Sequence, residues 1–212
     1  METGKFVTLE GIEGSGKSLQ LTLLEAELRK RGTRFVITRE PGGTDFGLEV
    51  RKILLHRDGP QREPVPELLL YLADRYQHLK ERIEPALAAG CHVFSDRYHH
   101  ATLAYQGHAR GLGFQLIDQL AEVLALRMPD LTLVLDLDVE PALARARARN
   151  VGSEIWGRFE EEDLDFHRKV REGYRLLSVR EPWRVLLVDA SGSPEEIQTE
   201  IVRIMTERGV LQ

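Results

Sequence analysis

The chain holds a single cysteine, Cys91, and a single asparagine, Asn150, among 212 residues. One cysteine excludes an internal disulfide, and nothing in the sequence clusters into a zinc-ligating pattern. Cys91 is expected as a small buried apolar residue at a strand start. No apolar run approaches the roughly 18 residues that a membrane span needs. The opening METGKFVTLE has no basic stretch leading into a long apolar one, so no secretory signal and a cytoplasmic location are expected. A basic surplus is also missing: Lys and Arg number 29 against 34 Asp and Glu, for a net charge of -5. That excludes general nucleic-acid binding, while leaving room for a few cations to converge on a small anion. What is present, 42% hydrophobic and 30% charged residues, suits one globular domain over 1–212 that can bury a core without disulfide or metal support.

Apolar runs recur with helical stretches between them. FVTL (Phe6 to Leu9), RFVIT (Arg34 to Thr38), CHVFS (Cys91 to Ser95), LTLVLDL (Leu131 to Leu137) and WRVLLVD (Trp183 to Asp189) read as strands. Helices are predicted from Lys17 to about Arg31, from about Glu67 to Ala89 after the loop GPQREPVPE, and from Pro194 to Glu207. Near-continuous Val, Leu and Phe strands separated by helices predict a doubly wound α/β fold, a parallel sheet covered on both faces.

GIEGSGKS, from Gly11 to Ser18, follows the first strand and opens the first helix. Its spacing satisfies G-x-x-x-x-G-K-[ST], the alternative being a plain Gly-rich turn. Glycines let main-chain amides turn inward around an anion, and the helix adds its positive end. Lys17 then reaches the β- and γ-phosphates, and the Ser18 hydroxyl ligates magnesium. Gly11, Ile12, Glu13, Gly14, Ser15, Gly16, Lys17 and Ser18 are therefore the candidate ATP-binding residues. The Asn-Lys-x-Asp signature of a GTP switch is absent, since Asn150 is followed by Val151. The small size points to a kinase of a small molecule.

Asp96 and Arg97 follow the third strand, where ligands of open α/β sheets sit. Tyr71 and Arg75, four residues apart, share a helix face; a ring and a guanidinium there can hold a base, or can be core and surface. The order and spacing of EGIEGSGKS, TREPGGT, LADRYQHL, SDRY, LAYQGHARG and RARAR resemble the thymidylate kinases in their bacterial form, over essentially the whole chain. The resemblance implies a P-loop NTPase-like, three-layer α/β/α fold of nucleoside monophosphate kinase type, with a five-stranded parallel sheet, and a homodimer. It implies transfer of the γ-phosphoryl group of ATP to dTMP, giving dTDP for dTTP biosynthesis, with Mg²⁺.

Carried over by position, Arg97 grips the dTMP phosphate with help from Arg51 and Glu40. Arg75 and Gln106 hydrogen-bond thymine, with Thr102 at the same edge. Tyr105 lies beneath the sugar, and Tyr71 stacks on the base where the family usually has Phe. Leu19 departs from a second Ser or Thr after the cradle, leaving Ser18 and Asp96 as the metal-site residues. Glu13 holds the family's catalytic acidic position, usually Asp, and Glu10 joins its network.

Like unit charges about 4 Å apart repel by ~4 kcal/mol at an effective dielectric of 20, so cations must assemble where two polyanions meet. The cradle itself has no arginine, and the resemblance places the remaining cations in a mobile lid at about 145–162. Of Arg145, Arg147 and Arg149, the first and last share a helix face; Arg149 and Arg158 are the expected contributors. The catalytic set is thus Glu13, Lys17, Arg97, Arg149 and Arg158. His99 and His100 are expected as ordinary loop residues. The rival reading is a deoxynucleoside kinase, in which an acid after a strand deprotonates a sugar hydroxyl.

Overall fold

The computed structural model describes residues 3–56, 62–149 and 158–211. β1 (Phe6–Glu10) turns through the glycine-rich segment into α1 (Lys17–Lys30), and β2 (Phe35–Arg39) and α2 (Asp45–Leu55) follow. Next come α3 (Pro64–His78), a π-helical stretch over Leu79–Ile83, and α4 (Glu84–Ala88). β3 (His92–Asp96) leads into the short α5 (His99–Thr102), a second π-helical stretch over Leu103–Ala109, and α6 (Phe114–Val123). β4 (Leu131–Asp136), α7 (Val139–Arg149), a 3-10 turn at Phe159–Glu161, α8 (Leu164–Arg180), β5 (Val185–Asp189) and α9 (Pro194–Glu207) complete the order.

All strands pair in parallel, in the order β2-β3-β1-β4-β5. Burial follows this order. β1 is buried at every position and β4 at its first five, whereas the edge strands β2 and β5 keep partly exposed positions. Central strands covered on both faces have no polar side to show, which is why they read as unbroken apolar runs. Right-handed crossovers put α1 and α9 on one face, where they pack together, and α4, α6 and α8 on the other. Phe6, Leu9, Leu24, Phe94, Leu133 and Val170 lie in the core between these layers. The chain's direction across the sheet reverses about β1, so the crevice beyond its carboxyl end is the expected ligand position.

Three local expectations are corrected. The long helix starts at Pro64, because prolines in a first turn forfeit no intrahelical bond, so the end of GPQREPVPE is helical. It then widens at Leu79–Ile83, just ahead of Pro85, whose ring displaces the preceding turn and which has no N–H to give. His99 and His100 are not loop residues. They form α5, both buried, with His100 Nδ1 3.0 Å from Thr132 Oγ1, which meets Thr8 Oγ1 at 2.8 Å. Cys91 is half-buried and precedes β3 rather than starting it.

Candidate active site

Beyond Glu10 the chain wraps back on itself before α1. Gly14 has a left-handed φ of 76°, and a Cβ there would stand 1.8 Å from the Ala142 carbonyl oxygen of α7. Gly16, which caps α1, has φ 100° and nothing within 4 Å of a Cβ position. Packing forbids a side chain at the first position, and backbone conformation disfavours one at the second. Glu13 to Ser18 line a cavity of about 1130 Å³ at the start of α1. Gly11 and Ile12 lie beneath it, their carbonyl oxygens accepting from Lys17 Nζ at 3.0 and 2.8 Å. Burial, joined by the Arg97 guanidinium, pulls Lys17 down to about 8 against the carboxylates of Asp96, Glu13 and Glu10.

Across the cavity, Arg97 holds a left-handed φ of 71° just past β3. The turn is pinned by its N–H to Leu9 O at 3.0 Å, by Ser95 Oγ to Arg97 O at 2.8 Å, and by Tyr98 N–H to Glu10 Oε1 at 2.8 Å. The guanidinium so aimed donates to Glu13 Oε1 at 2.7 Å and to Tyr105 Oη at 3.0 Å. Tyr105 in turn donates to Glu13 Oε2 at 2.7 Å. Burial pushes Glu13 up, but Arg97 and Lys17 outweigh it and hold the carboxyl below its ordinary value. Arg39 and Arg51 line the same cavity. Burial, then Arg39 and Arg97, pull Arg51 down, against the opposing pull of the Asp96 carboxylate.

Tyr71, Glu40, Thr102 and Gln106 also line the cavity. Arg75 does not meet it in the same way. Its fully buried guanidinium stands behind the wall, donating to Glu40 Oε2 at 2.8 Å, Thr102 Oγ1 at 2.9 Å and Tyr98 O at 2.9 Å. Glu40 is braced from its other side by His78 Nδ1 at 2.8 Å. Arg145 of α7 and Arg158 also line the cavity, and Arg158 pairs with Glu67 Oε2 at 2.8 Å. The Arg149 side chain and residues 150–157, half of the expected lid, lie outside the described residues.

For a metal ion, Ser18 Oγ and Asp96 Oδ2 stand 3.1 Å apart at the mouth of the cradle. Asp96 Oδ1 is buried with no hydrogen-bond partner. Among the described residues no three acidic, histidine or cysteine side chains form a cage. Hard oxygen donors in so small a number fit Mg²⁺, which takes its remaining ligands from phosphates and water.

One cavity is thus lined by a glycine-rich turn with its lysine and by the guanidinium groups of Arg39, Arg51 and Arg97. The Thymidylate kinase family model matches residues 9–201. The chain belongs to the thymidylate kinase family. It is 50% identical over 196 residues to a thymidylate kinase of Syntrophotalea carbinolica, covering 91% of this chain and 90% of that one. It is 46% identical over 210 residues to that of Deinococcus radiodurans, covering 99% and 100%. The crystal structure of thymidylate kinase from Ehrlichia chaffeensis superposes with a TM-score of 0.79 at 29% identity, over 96% of this chain and 99% of that one.

Sequence reasoning passed over Glu67, Asp74 and His78 of this thymidylate kinase family site, although Glu67 lies four residues before Tyr71 and eight before Arg75 on one helix face. It also missed Tyr174 of α8, which donates to Glu10 Oε2 at 2.8 Å. Burial outweighs Arg97 and both hydrogen bonds and pushes Glu10 up to about 7. The folded protein therefore holds this proton more tightly than the unfolded chain does. Its contribution to stability is complete below about pH 4.5 and is lost as pH rises to about 7. Against Glu10→Gln, which cannot titrate, the parent should lose about 3 kcal/mol across that window and nothing further above it. Urea denaturation at a series of pH values measures this difference.

Proposed function

We propose that this protein transfers the γ-phosphoryl group of ATP to dTMP, releasing dTDP and ADP for dTTP biosynthesis. The observation that supports it best is one cavity lined both by Glu13 to Ser18 of the glycine-rich turn and by Arg39, Arg51 and Arg97. Its three guanidinium groups suit an anionic acceptor. The acid after a strand that a deoxynucleoside kinase would use as its base is here Asp96, which accepts from Ser18 Oγ at 3.1 Å and stands 3.6 Å from Arg97 Nη1, a setting that suits a metal-site carboxylate.

In this reading the acceptor is already an oxyanion, so no residue need remove a proton; the chain's work is positioning and charge stabilisation. Lys17 exchanges the carbonyls of Gly11 and Ile12 for donor phosphate oxygens. Arg97 and Arg51 hold the acceptor phosphate in line, Glu13 and Tyr105 orient Arg97 and meet the sugar, and Arg149 and Arg158 come from the lid. Ser18 and Asp96 would hold Mg²⁺, which when bound would offset charge on the donor phosphates. Tyr71 stacks on the base, while Gln106 and Thr102 read its edge, braced by Arg75 and Glu40.

Supplied with ATP and Mg²⁺, the protein should form ADP with dTMP and not with thymidine; turnover of thymidine alone would overturn the reading. Residues 1–212 are read as one catalytic domain working in the cytoplasm, which cell fractionation tests. Among the described residues, no helix is long and apolar enough to cross a membrane. Half-exposed Phe46 and Ile53 of α2 and Leu69 and Tyr76 of α3 offer an apolar face for a homodimer, and light scattering of the purified protein should give twice the chain mass.

A further inference from the structure

Glu67, in the first turn of α3, is 1% exposed although it carries a carboxylate. Gln106 Nε2 donates to its Oε1 at 2.9 Å, Arg158 pairs with its Oε2 at 2.8 Å, and Arg110 Nε stands 3.6 Å from Oε1. A carboxylate among guanidinium groups can only accept, so Gln106 has to turn its NH₂ toward it. Gln106 lines the cavity, and no other side chain among the described residues bonds its amide. The amide oxygen is the atom left for a ligand.

Thr102 obeys the same rule with the signs exchanged. Arg75 can only donate, and its Nη1 gives to Thr102 Oγ1 at 2.9 Å. One lone pair of the hydroxyl oxygen is thereby occupied, and its hydrogen is free to be donated. The cavity wall presents an acceptor at Gln106, its polarity set from behind by an acceptor-only carboxylate, and a hydroxyl at Thr102 with a hydrogen to donate.

We propose that Glu67 is a positioning residue for base selection: it locks the Gln106 amide so that its oxygen meets a ring N–H beside a carbonyl. That edge belongs to thymine and uracil. Cytosine carries a ring acceptor beside an amino group, and its ring acceptor meets the wrong polarity at the Gln106 oxygen. The proposal rests on the dTMP reading above and deepens it.

The test is kcat/KM for dTMP, dUMP and dCMP, each with ATP. A site that hydrogen-bonds its substrate rejects the mismatched analogue by roughly 10⁴-fold, so the parent should nearly ignore dCMP. In Glu67→Gln the partner of Gln106 gains a donor, and the amide can turn over. The dTMP to dCMP ratio should then fall by about 10- to 100-fold, on the order of one lost buried hydrogen bond. The dTMP to dUMP ratio, which reads only the methyl pocket, should stay as in the parent. Combining Glu67→Gln with Gln106→Glu returns an acceptor-only group to the cavity side and should restore most of the rejection of dCMP.

An unchanged dTMP to dCMP ratio in Glu67→Gln overturns the proposal, as does an equal fall in the dTMP to dUMP ratio, which would mean general loosening. If the single variant does not fold by circular dichroism, the combined exchange decides. Retained preference for dTMP supports the proposal and loss of it does not. A parent enzyme that fails on dTMP itself would instead sink the functional reading.

Discussion

Lys17→Met should lower kcat by about 10³-fold, the scale of losing a donor that meets charge developed in the transition state. It should do so without lowering the melting temperature. Lys17 is 5% exposed, and its charged form is disfavoured by burial and by Arg97, which bring it down to about 8. The unfolded chain binds this proton up to about pH 10.5, so Lys17's contribution to stability is present above that pH and lost as pH falls through about 8. At pH 7 the folded protein therefore carries the whole cost of keeping this ammonium charged, on the order of 3 kcal/mol. The bonds to Gly11 and Ile12 offset part of it. A neutral side chain of similar length removes the cost together with the function, the pattern expected where a strained site is kept for activity. Steady-state kinetics and calorimetry on the same preparation check both halves. A large fall in melting temperature would mean that Lys17 serves the fold.

Arg97→Met should behave in the opposite way, losing both activity and stability. Methionine bears the same left-handed backbone cost at this position, so the substitution isolates the charge. Glu13 would stay 12% exposed at the side chain with Tyr105 as its remaining close donor. Removing one partner of a buried pair costs about 3–5 kcal/mol, which for a chain of this size is roughly 10 °C in melting temperature. kcat/KM for dTMP should fall by about 10³-fold as charge-assisted contacts to the phosphate are lost, while KM for ATP changes little. Adding Glu13→Gln to Arg97→Met should recover much of the stability and none of the dTMP turnover. That split separates a phosphate ligand from a residue that merely neutralises Glu13. Unchanged use of dTMP by Arg97→Met would refute the assignment of the acceptor site.

The contrast follows from what each cation faces. Lys17 lies on the neutral main-chain carbonyls of Gly11 and Ile12, whereas Arg97 is the direct ion-pair partner of Glu13 at 2.7 Å. One awaits its anion; the other already holds one.

The glycine-rich turn was legible because its requirements are local. Positive φ at Gly14 and Gly16, a helix starting at Lys17 and a preceding apolar strand are properties of contiguous residues. The five strands were legible for a related reason: a strand buried on both faces must be apolar throughout, and that leaves an unbroken run. The helix boundaries at Pro64 and Leu79–Ile83 were misjudged because proline has opposite effects in a first turn and in an interior. His99 and His100 were misplaced because their burial depends on Thr132 and Glu181, which belong to distant elements.

The amino-acid order alone determined a parallel α/β domain, a phosphate-binding turn after β1 and, by resemblance, the acceptor it serves. Only the tertiary structure decided how the side chains share their bonds. Arg97 reaches Glu13 across 84 residues of chain, and Tyr105 reaches it across 92. Arg75 was joined to Glu40 and Thr102, and Glu67 joined Gln106 to Arg158. Backbone preferences act between neighbours and are written in short words of sequence. Hydrogen-bond polarity and charge pairing are settled by whatever the packed elements bring within 3 Å, and no local pattern records that.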